Sequence, residues 1–428
     1  MKSKKSIVLL FVAAVLVLSA CVPQPVVETD APEVAVPAET SEVDADALPE
    51  AESDSLPAAC LEDEFGCAVI DQGETVKIGL GGPLLGDYAM FGLDISDAVS
   101  LALAHAGDFE GWTFELVKED TGASPEVGAA VANKFVTDQT IVAIAGHIFS
   151  GETEAAMPIY EKAGLPMMSA SATNPPLTQL GSAVFNRLAF LDSAQSEMAA
   201  DYLFNQFGVT KLAVVHDGST YGQGLGELTR DAFEDLGGEV VAFEAITPGE
   251  ADYVAPLSAL AAKEPEAVYF GGYAAEAIVM MNQWSQAGLD GVLLFGCDGT
   301  FGTEFTEKTG TNGEGAVAVS LVPPDSEQKT VFDAAYAEAF GREPGSLSAF
   351  SWAGYDSGWV LVNAIKAVSF VENGTLFVPR GALVKAVRTT EYEGITGLVK
   401  CDAVGECNAS GPAFYQVVDG EWLPLSFD

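Results

Sequence analysis

Eight residues carry most of the chemistry that this 428-residue chain can offer. Tyr88, Phe91, Ser150, Ser171 and Thr173 each follow a short apolar run in its first half, and Tyr221, Tyr273 and Asp298 do so in its second. In an open α/β sheet the ligand crevice lies outside the carboxyl ends of the strands, where residues so placed converge. Hydroxyls beside helix N-termini suit a carboxylate. Two tyrosines and one acid suit an ammonium group, through ring faces and charge-assisted hydrogen bonds. That division of labour fits a zwitterion held between two halves of the fold. Plainer roles remain open at this stage. Ser150, before Gly151-Glu152, also reads as a helix N-cap, and Asp298 as a cap for a helix near Phe301.

The elements that must position these residues alternate strand and helix. Apolar runs predict strands at 75–81, 112–118, 140–146, 165–170, 211–217, 239–246, 267–272, 291–296 and 315–322. Helical patterns fill 92–106, 125–138, 151–163, 193–207, 222–237, 253–263, 274–287 and 328–340. Several strands are continuously apolar, as parallel strands covered on both faces are. The alternation predicts a doubly wound α/β fold with parallel-rich sheets. One block of repeats ends near Arg187 and the next begins near Lys211, which implies two Rossmann-like lobes. Residues 413–425 depart from the pattern and read as a hairpin around Asp419-Gly420.

Here a family resemblance becomes specific. GHIFSGETEAAMPIYEKAGLPMMSASATNPPLTQLG (146–181) is similar to the matching stretch of the branched-chain amino-acid binding proteins. So are LDSAQSEMAADYLF (191–204), VVHDGSTYGQGL (214–225), ITPGEADYVAPLSAL (246–260) and VYFGGYAAEAIVMMNQWSQAGL (268–289). These relatives are type 1 periplasmic binding proteins of ABC importers, and the resemblance covers about residues 75–400. It implies two lobes joined by three crossovers that close over a ligand by hinge motion. Lobe 1 would hold 60–192 plus 323–398, and lobe 2 would hold 193–322 plus 399–428. The ligand carboxylate would meet Ser150 and Thr173 with backbone groups of Ser171. Tyr221, Tyr273 and Asp298 would take the ammonium, and Phe91 would border the side-chain pocket. An amino acid of branched-chain type is the implied ligand, and the transmembrane subunits of an ABC permease are the implied partner. A sensor of the same fold for an amide, urea or aromatic acid is the alternative. Two positions depart from the family: Asp298 is one methylene shorter than the expected glutamate, and Phe149 replaces a cysteine, so the usual disulfide cannot form.

Charge and composition narrow the field further. The formal net charge of −43 repels phosphate, so nucleic acid is not expected as a partner. Three scattered histidines, His105, His147 and His216, make no recognisable zinc site, and no cofactor is expected. No G-x-S-x-G elbow is present. The glycines at 222, 224 and 226 miss the dinucleotide fingerprint by one position and read instead as a helix start near the crevice. Enzyme activity is not expected.

The N-terminus reads as an address. Lys2, Lys4 and Lys5 precede an apolar stretch from Ile7 to Ala20, too short to span a bilayer but suited to a signal peptide. Its end, Leu18-Ser19-Ala20-Cys21, resembles a lipoprotein cleavage site, so residues 1–20 form the leader and Cys21 takes the lipid. No later apolar run is long enough to cross a membrane. Residues 21–59, with ten acids, six prolines and no base, predict an extended stalk. The expected location is outside the cytoplasm, tethered to the bacterial cell membrane. In that compartment the local spacings predict disulfides Cys60–Cys67 and Cys401–Cys407, leaving Cys297 alone. Mass spectrometry should find the mature chain beginning at a lipid-bearing Cys21, and Cys21→Ser should release soluble protein or leave the leader uncleaved. A mature terminus elsewhere without lipid mass contradicts the assignment.

Overall fold

A computed structural model describes residues 56–407 and 411–425. The leader, Cys21 and the stalk up to residue 55 lie outside the described residues. Helix α1 (Ala58–Glu62) and strand β1 (Cys67–Ile70) open the fold, joined by the Cys60–Cys67 disulfide. Ala58 and Ala59, expected as the end of the stalk, already belong to α1 because Cys60 is buried and bonded.

The first sheet contains β2 (Val76–Gly82), β3 (Phe114–Asp120), β4 (Ile141–Ala145), β5 (Met167–Ser169) and β6 (Phe185–Arg187). Its connections are α2 (Ala89–Ala106), α3 (Pro125–Phe135), α4 (Ser150–Ala163) and α5 (Pro176–Gln179). The order is β3-β2-β4-β5-β6, parallel throughout. Every residue of β4, IVAIA, is buried, as its unbroken apolar run requires, whereas β3 at the edge is partly exposed.

The chain then crosses to a second sheet through α6 (Asp192–Asp201), which continues as a π-turn over Tyr202–Gln206. There β7 (Lys211–His216), α7 (Thr220–Asp235), β8 (Glu239–Ala245), α8 (Val254–Ala261) and β9 (Ala267–Gly271) follow. Next come α9 (Ala274–Ala287), β10 (Leu293–Phe295), α10 (Thr303–Thr309) and β11 (Val317–Leu321). A second crossing leads to α11 (Glu327–Phe340) and α12 (Ser351–Val368), which packs on α2, β4 and β5 of the first sheet. The hairpin β12 (Phe370–Glu372) and β13 (Thr375–Pro379) pairs with β1. Helix α13 (Arg380–Arg388) and the ribbon β14 (Glu391–Gly394) and β15 (Gly397–Lys400) complete this part. A third crossing reaches β16 (Pro412–Val418) and β17 (Glu421–Pro424), so the second sheet runs β17-β16-β11-β10-β9-β7-β8. The expected hairpin is present. Asp419 and Gly420 have φ of 53° and 80°, the paired positive values of a tight two-residue turn.

Five helices escaped the sequence reading: α1, α5, α10, α12 and α13. In α12 the buried residues lie on all sides, so the apolar periodicity that marks an amphipathic helix is missing. Against expectation, Gly86–Ala106 is long and apolar enough to cross a membrane by length and composition. Its burial explains that composition. Gly354 and Gly358 on α12 let α2 approach so closely that added Cβ atoms would lie 3.1 and 2.8 Å from Ala98 and Ala102.

The third crossing is tied to the first sheet by two cations, Arg187 and Arg388, the latter donating to the Ala403 carbonyl and to Asn186 and Phe185 of β6. Arg187, wholly buried at the end of β6, donates to the carbonyls of Ala172 and Asn174 at 2.8 and 2.7 Å. It also donates to both carboxylate oxygens of Glu406, at 2.8 and 2.5 Å, inside the loop closed by Cys401–Cys407. Arg187→Met strands these acceptors and should lower the unfolding free energy by about 3 kcal/mol, read from denaturant melts. An unchanged midpoint would show the tie to be dispensable.

Candidate ligand-binding cleft

Both sheets present a topological switch point, where successive connections leave in opposite directions. In the first it lies between β2 and β4, and in the second between β7 and β9. Tyr88 and α2 follow β2, and α4 follows β4; Tyr221 on α7 follows β7, and Tyr273 precedes α9 after β9. Phe91, Phe149, Ser150, Ser171, Tyr221, Tyr273, Asp298, Gly299 and Phe350 line one small space. Six of the seven predicted site residues are therefore brought together. Thr173, the seventh, is fully buried, and its carbonyl accepts the Asp192 amide at 3.2 Å.

The hydroxyl side is built at the N-terminus of α4. Ser150 is the first residue of that helix and does not cap it; Phe149 stands at the cap position. Its Oγ accepts the Asn174 amide at 3.3 Å. The Ser171 hydroxyl donates to the carbonyl of Ile148 at 2.7 Å, and its amide donates to Ser169 Oγ at 3.4 Å. Thr173 Oγ1 is buried beside the Asp192 carboxyl, whose charged form its hydroxyl favours. A 14-residue helix aimed at this point adds a positive dipole end.

The acidic side lies across the cleft. Asp298 opens a 3₁₀ turn, Asp298–Thr300, after β10. It does not cap the next helix, whose cap residue is Gly302. Its Oδ1 accepts from Tyr221 Oη and from Gln195 Nε2, each at 2.6 Å. Gly299 allows this turn its position: a Cβ there would sit 2.4 Å from the Gly272 carbonyl. Gln195 Nε2 also donates to Asp192 Oδ1 at 2.9 Å, so one amide bridges two carboxylates. Neither acid has an ion pair among the described residues, although the Thr173 hydroxyl and the more distant Arg187 charge both favour the ionised form of Asp192. Burial, reinforced by the Asp298 charge, pushes Asp192 up to about 8. Burial likewise raises Asp298, against the hydrogen bonds from Tyr221 and Gln195.

Asp192 and Gln195 were not among the predicted site residues. An acid opening a helix reads as an ordinary N-terminal signal. Their i, i+3 spacing, which places both on one helix face, was the available clue. Phe350 lies in a stretch to which no element was assigned. His147 and His216 are structural: His147 Nε2 pairs with Tyr160 Oη at 2.8 Å, and His216 Nδ1 accepts the Gly218 amide at 3.1 Å. Gly222 of the near-fingerprint serves packing, since a Cβ would lie 2.4 Å from the Gly271 carbonyl.

Two doubly wound sheets, three crossings and a cleft at facing strand ends define a type 1 periplasmic binding protein. The chain belongs to the periplasmic binding protein family, whose model matches residues 75–421. It is 31% identical over 342 residues to the leucine-, isoleucine-, valine-, threonine- and alanine-binding protein of Pseudomonas aeruginosa, covering 78% of this chain and 87% of that one. A leucine-binding protein from Thermotoga maritima superposes with a TM-score of 0.74 at 27% identity, over 82% of this chain and 98% of that one. The branched-chain amino acid transporter substrate-binding protein of Streptococcus pneumoniae, in complex with isoleucine, superposes with a TM-score of 0.72 at 27% identity, over the same shares.

The raised acids have a consequence for stability. A carboxyl whose folded value is raised from its ordinary 3.8 to about 8 binds more protons folded than unfolded across that interval. Stability contributed by Asp192 is therefore present at low pH and lost as pH rises from about 4 to 8. Glu152, raised to about 8 by burial, acts in the same direction. Ligand-free protein should show a melting temperature that declines from pH 5 to pH 8, and Asp192→Asn should flatten that decline without abolishing it. Parallel profiles for the two proteins would contradict the assignment.

Proposed function

We propose that this protein is the solute-binding component of an ABC importer and captures a zwitterionic amino acid between its lobes. The observation that carries the reading is the pairing of unlike chemistries across one cleft. Ser150, at the N-terminus of α4, and Asp298, one of a bridged pair of acids, line the same space. The α-carboxylate would lie against Ser150, Thr173 and the Ser171 backbone. The ammonium would lie against Asp298 and Asp192, with Tyr221 and Tyr273 completing its surroundings. Phe91 would border the side chain. The names of the relatives support an amino-acid ligand. In this reading the lobes divide near residues 192, 322 and 398, Cys21 anchors the chain outside the cytoplasm, and the closed form is presented to the permease subunits. No step of bond making or breaking is assigned to the site.

An ammonium leaving water for a closed cleft needs an opposite charge, or several kcal/mol are lost. Asp298→Asn should therefore weaken amino-acid binding by at least about 2 kcal/mol, roughly thirtyfold. Analogues lacking the α-amino group should bind the wild type poorly and lose little more in the variant. Ser150→Ala should cost less, because the helix amides remain. Titration calorimetry with an amino acid and its deaminated analogue measures all three. Equal affinity of wild type and Asp298→Asn for the amino acid would end the zwitterion reading.

A further inference from the structure

Helices α11 and α12 and the β14–β15 ribbon enclose a groove that shares no lining residue with the cleft. Its volume is about 560 Å³, within the range of roughly 300–1,000 Å³ usual for small-molecule sites. Four of its walls are aromatic: Phe332, Tyr355, Trp359 and Tyr392. Tyr355 and Trp359, one turn apart on α12, stand close to a right angle, with centroids 6.3 Å apart and planes at 71°. Phe332 of α11 meets Tyr355 at 4.6 Å and 48°. The hydroxyls of both tyrosines are committed within the protein. Tyr355 Oη pairs with His105 Nδ1 at 2.8 Å, and Tyr392 Oη donates to the Asp356 carbonyl at 3.2 Å. Asp356, the buried acid of the lining, accepts the Ile395 amide at 3.1 Å and the Thr396 amide and hydroxyl at 2.8 and 2.5 Å. Glu327 and Glu393 are exposed, and neither has an ion pair among the described residues. No lysine or arginine lines the groove.

The geometry points to a second binding site, separate from the cleft, for a small organic cation of the quaternary ammonium class. A methylated ammonium needs no hydrogen-bond acceptor, and rings that meet at steep angles hold it through their negative faces. A primary ammonium is strongly hydrated and has to exchange its water for acceptors. Here the tyrosine hydroxyls and the Asp356 carboxylate are already engaged, so such a head would leave water for little return. Glu327 and Glu393 supply charge of the right sign at the surface of the groove, and the net charge of −43 draws cations towards the protein as a whole. The site stands whether or not the cleft takes an amino acid, because the two share no residue.

Calorimetric titration of the whole protein with choline and with ethanolamine, its unmethylated counterpart, tests this. Choline should bind at least about tenfold more tightly than ethanolamine. Trp359→Leu should weaken choline binding about fivefold or more, and Trp359→Phe, which keeps a ring, should weaken it less. Glu327→Gln combined with Glu393→Gln changes surface charge without touching the packing, and should cost about twofold at low salt. Absence of choline binding at millimolar concentration, or equal binding of the two amines, overturns the site. Choline binding that Asp298→Asn weakens also overturns it, because the cation then lies in the cleft. Choline affinity unchanged in the glutamine double variant and in whichever Trp359 variants keep the wild-type melting curve overturns the groove as its location.

Discussion

Asp192 and Asp298 lie buried at one point of the cleft, and a single amide, Gln195, donates to both. Two like charges taken out of water repel each other in a medium that screens them poorly, so the arrangement is costly until a proton or a cation joins it. The fold confines that cost to one place. Asp192 sits in the first turn of α6 and Asp298 in the first turn of a 3₁₀ segment, where backbone amides favour negative charge.

Further contacts join the two sheets' connections: Tyr88, after β2, donates to Glu276 on α9. Asn174 likewise donates to the Thr220 carbonyl. Between them lies an aromatic cluster in which most ring pairs meet edge-on, the arrangement favoured by ring quadrupoles, while Phe149 and Tyr273 stack. The interface is thus apolar at its centre and satisfied by hydrogen bonds around it.

The C-terminal part of the chain serves the cleft from behind. Helix α12 covers the first sheet beneath the switch point, and Phe350, immediately before it, reaches the pocket wall. Arg187 and Glu406 fix the last crossing to the end of β6, a few residues from Thr173 in the same network of carbonyls.

Strand and helix alternation, the parallel sheets, the two short disulfides, the terminal hairpin and most of the pocket were legible in the sequence, because each is a local signal. Continuous apolar runs mark buried parallel strands, and residues just beyond them fall at the crevice whatever the loop details. Cys60–Cys67 and Cys401–Cys407 are close in sequence and close in space. Helix α12 was not legible, since burial on all sides erases the period by which a helix is recognised. The bridging role of Gln195, the pairing of Asp192 with Asp298 and the filling of the pocket by Phe149 against Tyr273 were not legible either. The Gln195–Asp298 bond and the Phe149–Tyr273 stack each join residues more than a hundred positions apart. Only the tertiary structure decides them, because burial and the charge of a neighbour are properties of a residue's surroundings, and neither is encoded in its own type or spacing.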